Sequence, residues 1–321
     1  MTTLITGGFG FIGAHVVKKF SDAGESVVVT SYENLEPPSF LRQEVKNGLL
    51  IKQIDIGEPG AIERLSKEHN VNTIINLAIH RKSSSDPAED IRINMDKLSH
   101  FFEGALKSGV EKLFWASNGA IFAELPEGPF YEDTAVSLSG AIQPGAFKKA
   151  WEVLAHNFAQ NYQIQSSLKI VSMRISGVFG PTYRSMLNLP SRLCHAASKN
   201  LPPDFSAQRG GVPYSDDTFD LTYAKDVAAA VLALYEADDL PHLVYNISRG
   251  TTVRAQELVD AVTKVKSNFT PQLQEGAGPR FRANAYLDNS RVLKDSKWEP
   301  KFHIESAIED YLDWLDSGEQ Y

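Results

Sequence analysis

The fold of this 321-residue chain is indicated by one stretch near its start, Leu4-Ile5-Thr6-Gly7-Gly8-Phe9-Gly10-Phe11-Ile12-Gly13-Ala14. A short apolar strand runs into glycines spaced Gly7-x-x-Gly10-x-x-Gly13, and a helical pattern follows. Glycines between a strand and a helix allow a tight turn, a close approach of the backbone to phosphate, and close packing of helix on strand. The positive end of the helix favours an anion. The sequence therefore predicts a turn that holds the pyrophosphate of a dinucleotide.

Apolar runs and helical stretches alternate along the rest of the chain. The predicted strands are Thr3–Thr6, Ser26–Thr30, Leu49–Ile54, Thr73–Leu77, Lys112–Ala116, Leu168–Ile175 and His242–Ile247. The predicted helices are Gly13–Ala23, Gly60–His69, Asp90–Ser108, Phe147–Tyr162, Ala224–Ala237, Arg254–Val265 and Ile304–Leu315. Continuous apolar strands alternating with helices are typical of an α/β fold with a doubly wound parallel sheet of the Rossmann type.

A change of pattern after Gly180-Pro181 predicts a second part of the chain. The regular alternation weakens there, and Leu201–Asp217 is rich in proline and glycine, which is typical of a loop. We expect a dinucleotide-binding domain over 1–176 and a smaller C-terminal substrate-binding lobe over 177–321. The segment 219–250 is expected to return to the first domain.

Composition narrows the partners. Hydrophobic residues make up 42% and charged residues 22% of the chain, and no apolar run approaches the roughly 18 residues that span a bilayer. The first residues lack the pattern of a secretory signal, so a cytoplasmic protein without a membrane partner is expected. The net charge of −8 with scattered lysines and arginines predicts no nucleic-acid partner. A small-molecule substrate is the expected partner.

No metal site is expected. Cys194 is the single cysteine, which excludes an internal disulfide and a thiolate cluster, and it has the setting of a packed thiol. The acidic stretch Asp86–Asp90 is typical of a helix start. His15 and Tyr131 are predicted to be packed structural residues.

Several motifs together resemble the extended short-chain dehydrogenase/reductases, the NAD-dependent epimerase/dehydratase family, over nearly the whole chain. The glycine stretch is similar to the family signature TGGxGFIG. Other matches, in chain order, are Asp55-Ile56 to the pair that meets the adenine, Asn76-Leu77-Ala78 to the strand end beside the cofactor, Asn94 to the asparagine opening the next helix, Arg174–Pro181 to RxxNvyGP, and Tyr223–Ala228 to hVxDvA.

The resemblance implies a nicotinamide cofactor. The residues expected to bind it are Gly7, Gly10, Phe11, Ile12, Gly13, Ser31, Asp55, Ile56, Leu77, Ala78, Ile79 and Lys149. Ser31 ends the second strand, where an NAD-specific member would place an acidic residue against the ribose. Glu33 stands nearby and no arginine follows within four residues, so both NAD and NADP stay open.

The family's catalytic residues are only partly present. Members use a Ser or Thr with the motif Tyr-x-x-x-Lys, in which the tyrosine moves the hydroxyl proton. Here Lys149 matches the lysine, Gly145 stands in the tyrosine position, and Asn118 stands in the Ser/Thr position, directly after Ser117. Glu152 is one position out of register with the family motif, which indicates that the alignment could be shifted by one residue. Such a shift brings no tyrosine four residues before Lys148 or Lys149. A non-standard proton relay is therefore predicted.

Replacement groups are expected outside the carboxyl ends of the strands, where doubly wound folds bind ligands. His80 is a candidate catalytic residue, and a solvated loop histidine is the alternative. The candidate substrate-binding residues are Arg81, Ser176, Tyr183, Arg184 and Arg280. Nucleotide-sugar members carry an arginine where Phe219 stands, and Arg280 or Arg282 matches their later arginine. A smaller, aromatic or acidic substrate is expected on this basis.

Three functions compete. The leading hypothesis is an NAD(P)-dependent oxidoreductase or epimerase-like enzyme that acts on a hydroxyl or carbonyl carbon. The alternatives are a non-redox lyase or isomerase of the retro-aldol type, and a cofactor-sensing binding protein. The resemblance also implies a homodimer through helices Asp90–Ser108 and Phe147–Tyr162. Phe147, Trp151, Leu154 and Phe158 share one stripe of the latter helix, and Trp151 and Phe158 serve either the interface or the core.

Overall fold

The computed structural model describes residues 1–33, 35–78, 86–138, 143–162, 168–206, 211–279 and 281–318, without the side chains of 143–145 and 162. The strands are β1 (Thr2–Thr6), β2 (Ser26–Ser31), β3 (Leu50–Gln53), β4 (Val71–Asn76), β5 (Lys112–Asn118), β6 (Lys169–Ile175), β7 (Gly177–Phe179), β8 (Thr218–Phe219), β9 (Leu221–Tyr223), β10 (Val244–Ile247) and β11 (Val253–Arg254). The helices are α1 (Phe11–Asp22), α2 (Arg42–Lys46), α3 (Ala61–Glu68), α4 (Pro87–Lys107), α5 (Gln143–Tyr162), α6 (Leu189–Ser198), α7 (Ala224–Glu236), α8 (Ala255–Val265), α9 (Ser290–Ser296) and α10 (Ile304–Asp316).

Seven strands form the central sheet in the order β10-β6-β5-β4-β1-β2-β3. β1 pairs in parallel with β2 and β4, and the β2–β3 and β4–β5 pairs are parallel as well. After β3 the chain crosses back over β1 to form β4, so the strand order reverses beside β1. A crevice opens outside the carboxyl ends of β1 and β4 at such a reversal. The predicted doubly wound Rossmann sheet is confirmed.

Two compact units divide the chain. The first comprises Met1–Ser117, Gln143–Met173 and Pro241–Val244, and the second comprises Asn118–Ile142, Arg174–Leu240 and Tyr245–Tyr321. The predicted boundary after residue 176 lies close to the division at 173/174. Of the segment 219–250, expected to return to the first domain, only Pro241–Val244 clusters there.

The segment Asn118–Ile142 departs from the prediction because it clusters with the second unit. Its residue Phe130 donates its backbone N–H to the carbonyl oxygen of Tyr286 at 2.8 Å and accepts from the N–H of Asp288 at 2.9 Å. The side-chain amide of Asn246 also donates to the Phe130 carbonyl oxygen at 2.9 Å. These partners lie more than a hundred residues away along the chain, so local sequence patterns carry no sign of them.

The core of the first unit corrects two predicted helices. α1 begins at Phe11 rather than Gly13, because Gly10 already acts as the N-cap with extended backbone. α5 begins at Gln143 rather than Phe147. Trp151 is buried, but Leu154 is 43% exposed, and Ala155 and Ala159 occupy the buried face at i+4 spacing instead.

The core of the second unit lies among α6, α8 and α10. It includes Leu193, Leu258 and Leu312, with Cys194 fully buried as the predicted packed thiol. α6 and α9, and the short strands β7, β8, β9 and β11, were absent from the sequence prediction. Among the described residues, no helix combines the length and apolar character that crossing a bilayer requires.

Candidate functional site

The glycine turn after β1 is packed so tightly that side chains cannot replace its hydrogens. Gly7 has φ +68°, and a Cβ there would lie 2.9 Å from the backbone of Ala78 after β4. A Cβ on Gly13 would lie 2.1 Å from the carbonyl oxygen of Gly7. The N–H of Gly10 donates to that same oxygen at 2.9 Å, which closes the turn. Gly7 and Gly13 thus have the packing roles that the motif predicts.

Gly8 is a further constrained glycine that the prediction did not include among the cofactor residues. A Cβ on Gly8 would lie 2.4 Å from Cγ1 of Val29, and its N–H donates to the Thr30 carbonyl oxygen at 3.1 Å. These contacts fix the turn against β2. The sequence feature that identifies Gly8 is its place as the second glycine of the Gly-Gly pair.

The N-terminus of α1 is open to an anion. Gly10 is exposed, no side chain caps the helix, and the first turn holds no acidic residue. Phe11 and Ile12 are half-buried beside it. The first N–H groups of a helix have no partner within the helix, and their dipole favours negative charge. An uncapped helix N-terminus of this kind suits a pyrophosphate.

The ends of β1 and β4 are tied to each other beside this turn. The Thr6 hydroxyl donates to the Asn76 side-chain oxygen, both residues being buried. The N–H of Leu77 donates to the Thr6 carbonyl oxygen at 3.2 Å. Leu77 and Ala78 are half-buried at this end of the sheet. Ile79, His80 and Arg81 lie outside the described residues.

Asp55 follows β3 and is held by α4. Its carboxylate pairs with Lys97 and accepts the N–H of Gly57 at 2.9 Å. A Cβ on Gly57 would lie 2.5 Å from Cγ of Lys97, so the lysine covers this loop closely. Ile56 packs against the core of the first unit, and Ser31 is buried at the end of β2. The predicted adenine and ribose residues therefore occupy the carboxyl ends of their strands.

The end of β5 carries a buried hydroxyl and a buried ammonium group. The Ser117 oxygen is enclosed with no hydrogen-bond partner among the described residues. Lys148 of α5 is 8% exposed, and its Nζ donates to the Ala116 carbonyl oxygen at 2.9 Å and lies 5.5 Å from the Trp151 ring centroid. Burial lowers the pKa of Lys148 to about 8, although Glu152 acts in the opposite direction.

Lys148 was not among the predicted site residues, while its predicted neighbour Lys149 is buried to the same degree. Glu152, which is one position out of family register from Lys149, follows Lys148 by four residues. This four-residue spacing is the sequence feature that could have identified Lys148 as a site residue. The structure thus offers two buried lysines at the position of the motif lysine.

The predicted residues of the second unit have separate surroundings. The Asn118 side-chain oxygen accepts the N–H of Ala120 at 2.9 Å and caps a 3-10 turn over Gly119–Phe122, which leaves its amide NH₂ as the donor end. Ser176 is buried, with its hydroxyl 2.7 Å from that of Thr222. Tyr183 is half-buried and Arg184 is exposed.

Two arginines and one tyrosine from the sequence prediction are considered next. Arg282 donates through Nη1 to the carbonyl oxygens of Phe122, Ala123 and Leu125 at 3.4, 3.3 and 3.0 Å, which makes it a support of that loop. Arg280 lies outside the described residues. The prediction for Tyr131 is wrong, because the side chain is 51% exposed.

Two predicted structural roles are confirmed. His15 is buried between the rings of Phe11 and Phe40, at centroid distances of 6.0 and 5.0 Å. Asp86 caps α4 by accepting the N–H of Ala88 at 2.9 Å, as a helix start requires. Asn94 lies buried within α4 rather than at its opening, because the helix starts earlier, at Pro87.

The fold recurs in solved structures of similar length. UDP-glucose 4-epimerase from Thermotoga maritima, crystallised with UDP-glucose, is 21% identical with a TM-score of 0.78, over 99% of each chain. UDP-glucuronic acid 4-epimerase from Bacillus cereus, in complex with NAD, is 19% identical with a TM-score of 0.79, over 100% of each chain. At these identities the likeness shows the fold.

Sequence comparison identifies the family. UDP-glucose 4-epimerase 2 of Arabidopsis thaliana is 24% identical, over 99% of this chain and 95% of the relative. The model of the NAD dependent epimerase/dehydratase family matches residues 3–248. The chain therefore belongs to this family of extended short-chain dehydrogenase/reductases, as an enzyme with a nicotinamide dinucleotide cofactor.

Proposed function

We propose that this chain is an NAD-dependent epimerase-like oxidoreductase that acts on a hydroxyl or carbonyl carbon of a sugar nucleotide through a non-standard proton relay. The observation that carries the proposal is the glycine turn between β1 and α1, whose packing leaves an uncapped helix N-terminus open. Gly7, Gly10, Phe11, Ile12 and Gly13 would hold the pyrophosphate. Ser31, Asp55, Ile56, Leu77, Ala78 and Ile79 would surround the rest of the cofactor.

The substrate class rests on the relatives. The Thermotoga and Arabidopsis relatives are epimerases of UDP-glucose by name. This favours a sugar nucleotide over the smaller substrate that Phe219 suggested.

Protons must be handled without the usual tyrosine. When bound, the nicotinamide supplies the hydride acceptor for a hydroxyl carbon. Lys148 has a pKa near 8, so about a fifth of it is neutral at pH 7.4 and can accept a proton. Lys149 is proposed to hold the nicotinamide ribose. The Asn118 amide is proposed to donate to a substrate oxygen, and Ser117, whose hydroxyl is enclosed, directly precedes it.

Further groups of the proposed site come from the sequence prediction alone. His80 remains a candidate proton carrier, and Arg81 and Arg280 remain candidate substrate contacts. Ser176, Tyr183 and Arg184 are proposed to contact the substrate.

The test is a reaction with NAD and UDP-glucose, followed by chromatography of the sugar nucleotide and by absorbance at 340 nm. A new sugar nucleotide without net NADH supports epimerisation, and steady NADH formation supports net oxidation. Binding of both ligands without any product would contradict the proposal and favour a cofactor-sensing binding protein. The variant Gly145→Tyr is expected to raise turnover if the tyrosine position is correctly assigned.

A homodimer is proposed as the assembly. Ile91 on α4 is 55% exposed, and Val153 and Leu154 on α5 are 67% and 43% exposed. These exposed apolar side chains lie on the two helices through which the family resemblance implies pairing. Trp151 is buried in the core of its own unit, so it serves that core rather than the interface.

A further inference from the structure

Asp220 occupies the junction of two small sheets in the second unit. It is the residue between β8 and β9. β8 pairs antiparallel with β11, whereas β9 pairs in parallel with β7. The chain therefore changes partners at Asp220, and the position of this residue governs how both pairs are joined.

The carboxylate of Asp220 gathers donors from distant segments. One oxygen accepts the Ser248 hydroxyl at 2.7 Å, and the other accepts the N–H of Leu287 at 2.9 Å. The Ser176 hydroxyl lies close enough to this carboxylate to lower its pKa. Removal from water raises the pKa of Asp220, and these donors together with the charge of Arg249 oppose the rise. Three segments thus depend on one side chain.

The backbone of Asp220 makes a further contact, to the residue that follows Ser176. Its carbonyl oxygen accepts the N–H of Gly177 at 3.1 Å, and a Cβ on Gly177 would lie 2.7 Å from that oxygen. The Thr222 hydroxyl, two residues on, is 2.7 Å from that of Ser176 and accepts the N–H of Arg249 at 3.1 Å. Ser176 is therefore held by the Thr222 hydroxyl, and its neighbour Gly177 is held by the backbone of Asp220.

The Leu287 contact extends this arrangement towards a second candidate residue. A Cβ on Gly119 would lie 3.3 Å from the Leu287 side chain, so Leu287 packs against the residue that follows Asn118. The Asn118 side chain caps the turn that begins at Gly119. A shift of Leu287 would move this turn.

We propose that Asp220 is a positioning residue that sets the Ser176 hydroxyl and the Leu287 segment in place for substrate. The substrate part of this inference rests on the proposed function, in which Ser176 contacts the substrate. Asp220 itself acts through these neighbours.

The chain offers a matched control in Asp226. This aspartate is buried, and its carboxylate accepts two backbone N–H groups, those of Lys301 and Phe302, at 2.9 and 3.0 Å. It lies in the same unit, on α7, and neither Lys301 nor Phe302 is a candidate site residue. Asp220→Asn and Asp226→Asn therefore make the same chemical change in two different networks.

Hydrogen exchange of the full chain without ligand tests the structural half. In Asp220→Asn, exchange is expected to accelerate about tenfold in the peptides containing Gly177 and Leu287. The Leu287 N–H loses its charged acceptor, and the Gly177 N–H bonds to the backbone of the residue whose side chain is changed. In Asp226→Asn, the acceleration is expected around residues 301–302 instead. Equal protection of Gly177 and Leu287 in both variants would overturn the inference. Ser248→Ala, which removes one donor to Asp220, gives the same readout if Asp220→Asn does not fold.

Kinetics with UDP-glucose test the functional half. Asp220→Asn and Ser176→Ala are each expected to raise KM about tenfold, and the double variant is expected to show little more than either, because coupled residues are not additive. The NAD dissociation constant is expected to stay unchanged. Multiplying effects, or an unchanged KM in Asp220→Asn, would overturn the positioning role. If the wild type does not bind UDP-glucose, the proposed substrate fails and hydrogen exchange decides this inference.

Discussion

Replacing Lys148 by methionine tests whether a desolvated amine lies at the end of β5. The change keeps a long side chain against Trp151 but removes the ammonium group and its hydrogen bond to the Ala116 carbonyl oxygen. The folded pKa of Lys148 is about 8, against an ordinary value of 10.5. Between these two values the unfolded chain binds more protons than the folded chain, so stability rises with pH.

The size of this effect follows from the two pKa values. For a lysine with a pKa of 8 in the folded state and 10.5 in the unfolded state, the free energy of unfolding rises by about 2 kcal/mol between pH 7 and pH 9.5. The methionine variant lacks this contribution. The stability of the wild type relative to Lys148→Met is therefore expected to increase by about 2 kcal/mol over that range.

Urea unfolding of both proteins at pH 7, 8.5 and 9.5 measures the difference directly. Lys264→Met, which removes an exposed lysine of α8, is the control. A stability difference between wild type and Lys148→Met that does not change with pH would refute the desolvation of Lys148. The role proposed for it as a proton acceptor would then fail as well.

Two other predictions concern the cofactor and the assembly. Lys149→Met is expected to weaken NAD binding by about 1–3 kcal/mol in calorimetry, because a charge-assisted hydrogen bond is lost, while turnover at saturating NAD persists. A hundredfold fall in kcat with unchanged NAD affinity would instead assign proton transfer to Lys149. Light scattering is expected to show a dimer that Leu154→Lys converts to a monomer. Val265→Lys, which alters another partly exposed apolar residue, is expected to leave the dimer intact. A wild-type monomer at micromolar concentration would contradict the proposed dimer.

The regular part of the fold could be predicted from the sequence because it is written in local patterns. The strands of the central sheet are continuous apolar runs, and Gly7, Gly10 and Gly13 identify the turn by spacing alone. The small strands of the second unit are two or three residues long and exist through pairing with distant segments, such as β8 with β11. Periodicity cannot reveal pairs of that length.

The candidate site divides in the same way. Backbone geometry at the glycine turn follows from residue type, whereas burial and partners depend on tertiary packing. Lys148 and Lys149 look equivalent in the sequence, and only the structure shows Lys148 donating to the end of β5. Arg282 looks like a free cation in the sequence, but it supports three carbonyl groups of a distant loop.

The most direct test of the central claim is a calorimetric titration of NAD into wild type and Gly10→Val. Gly10 is exposed at the start of α1, so valine there would occupy the space of the pyrophosphate. Ala88→Val, at the exposed first turn of α4, is the matched control. We expect the wild type and Ala88→Val to bind one NAD per chain and Gly10→Val to show no binding. Equal NAD affinity in Gly10→Val and wild type would contradict the assignment of this turn as the cofactor site.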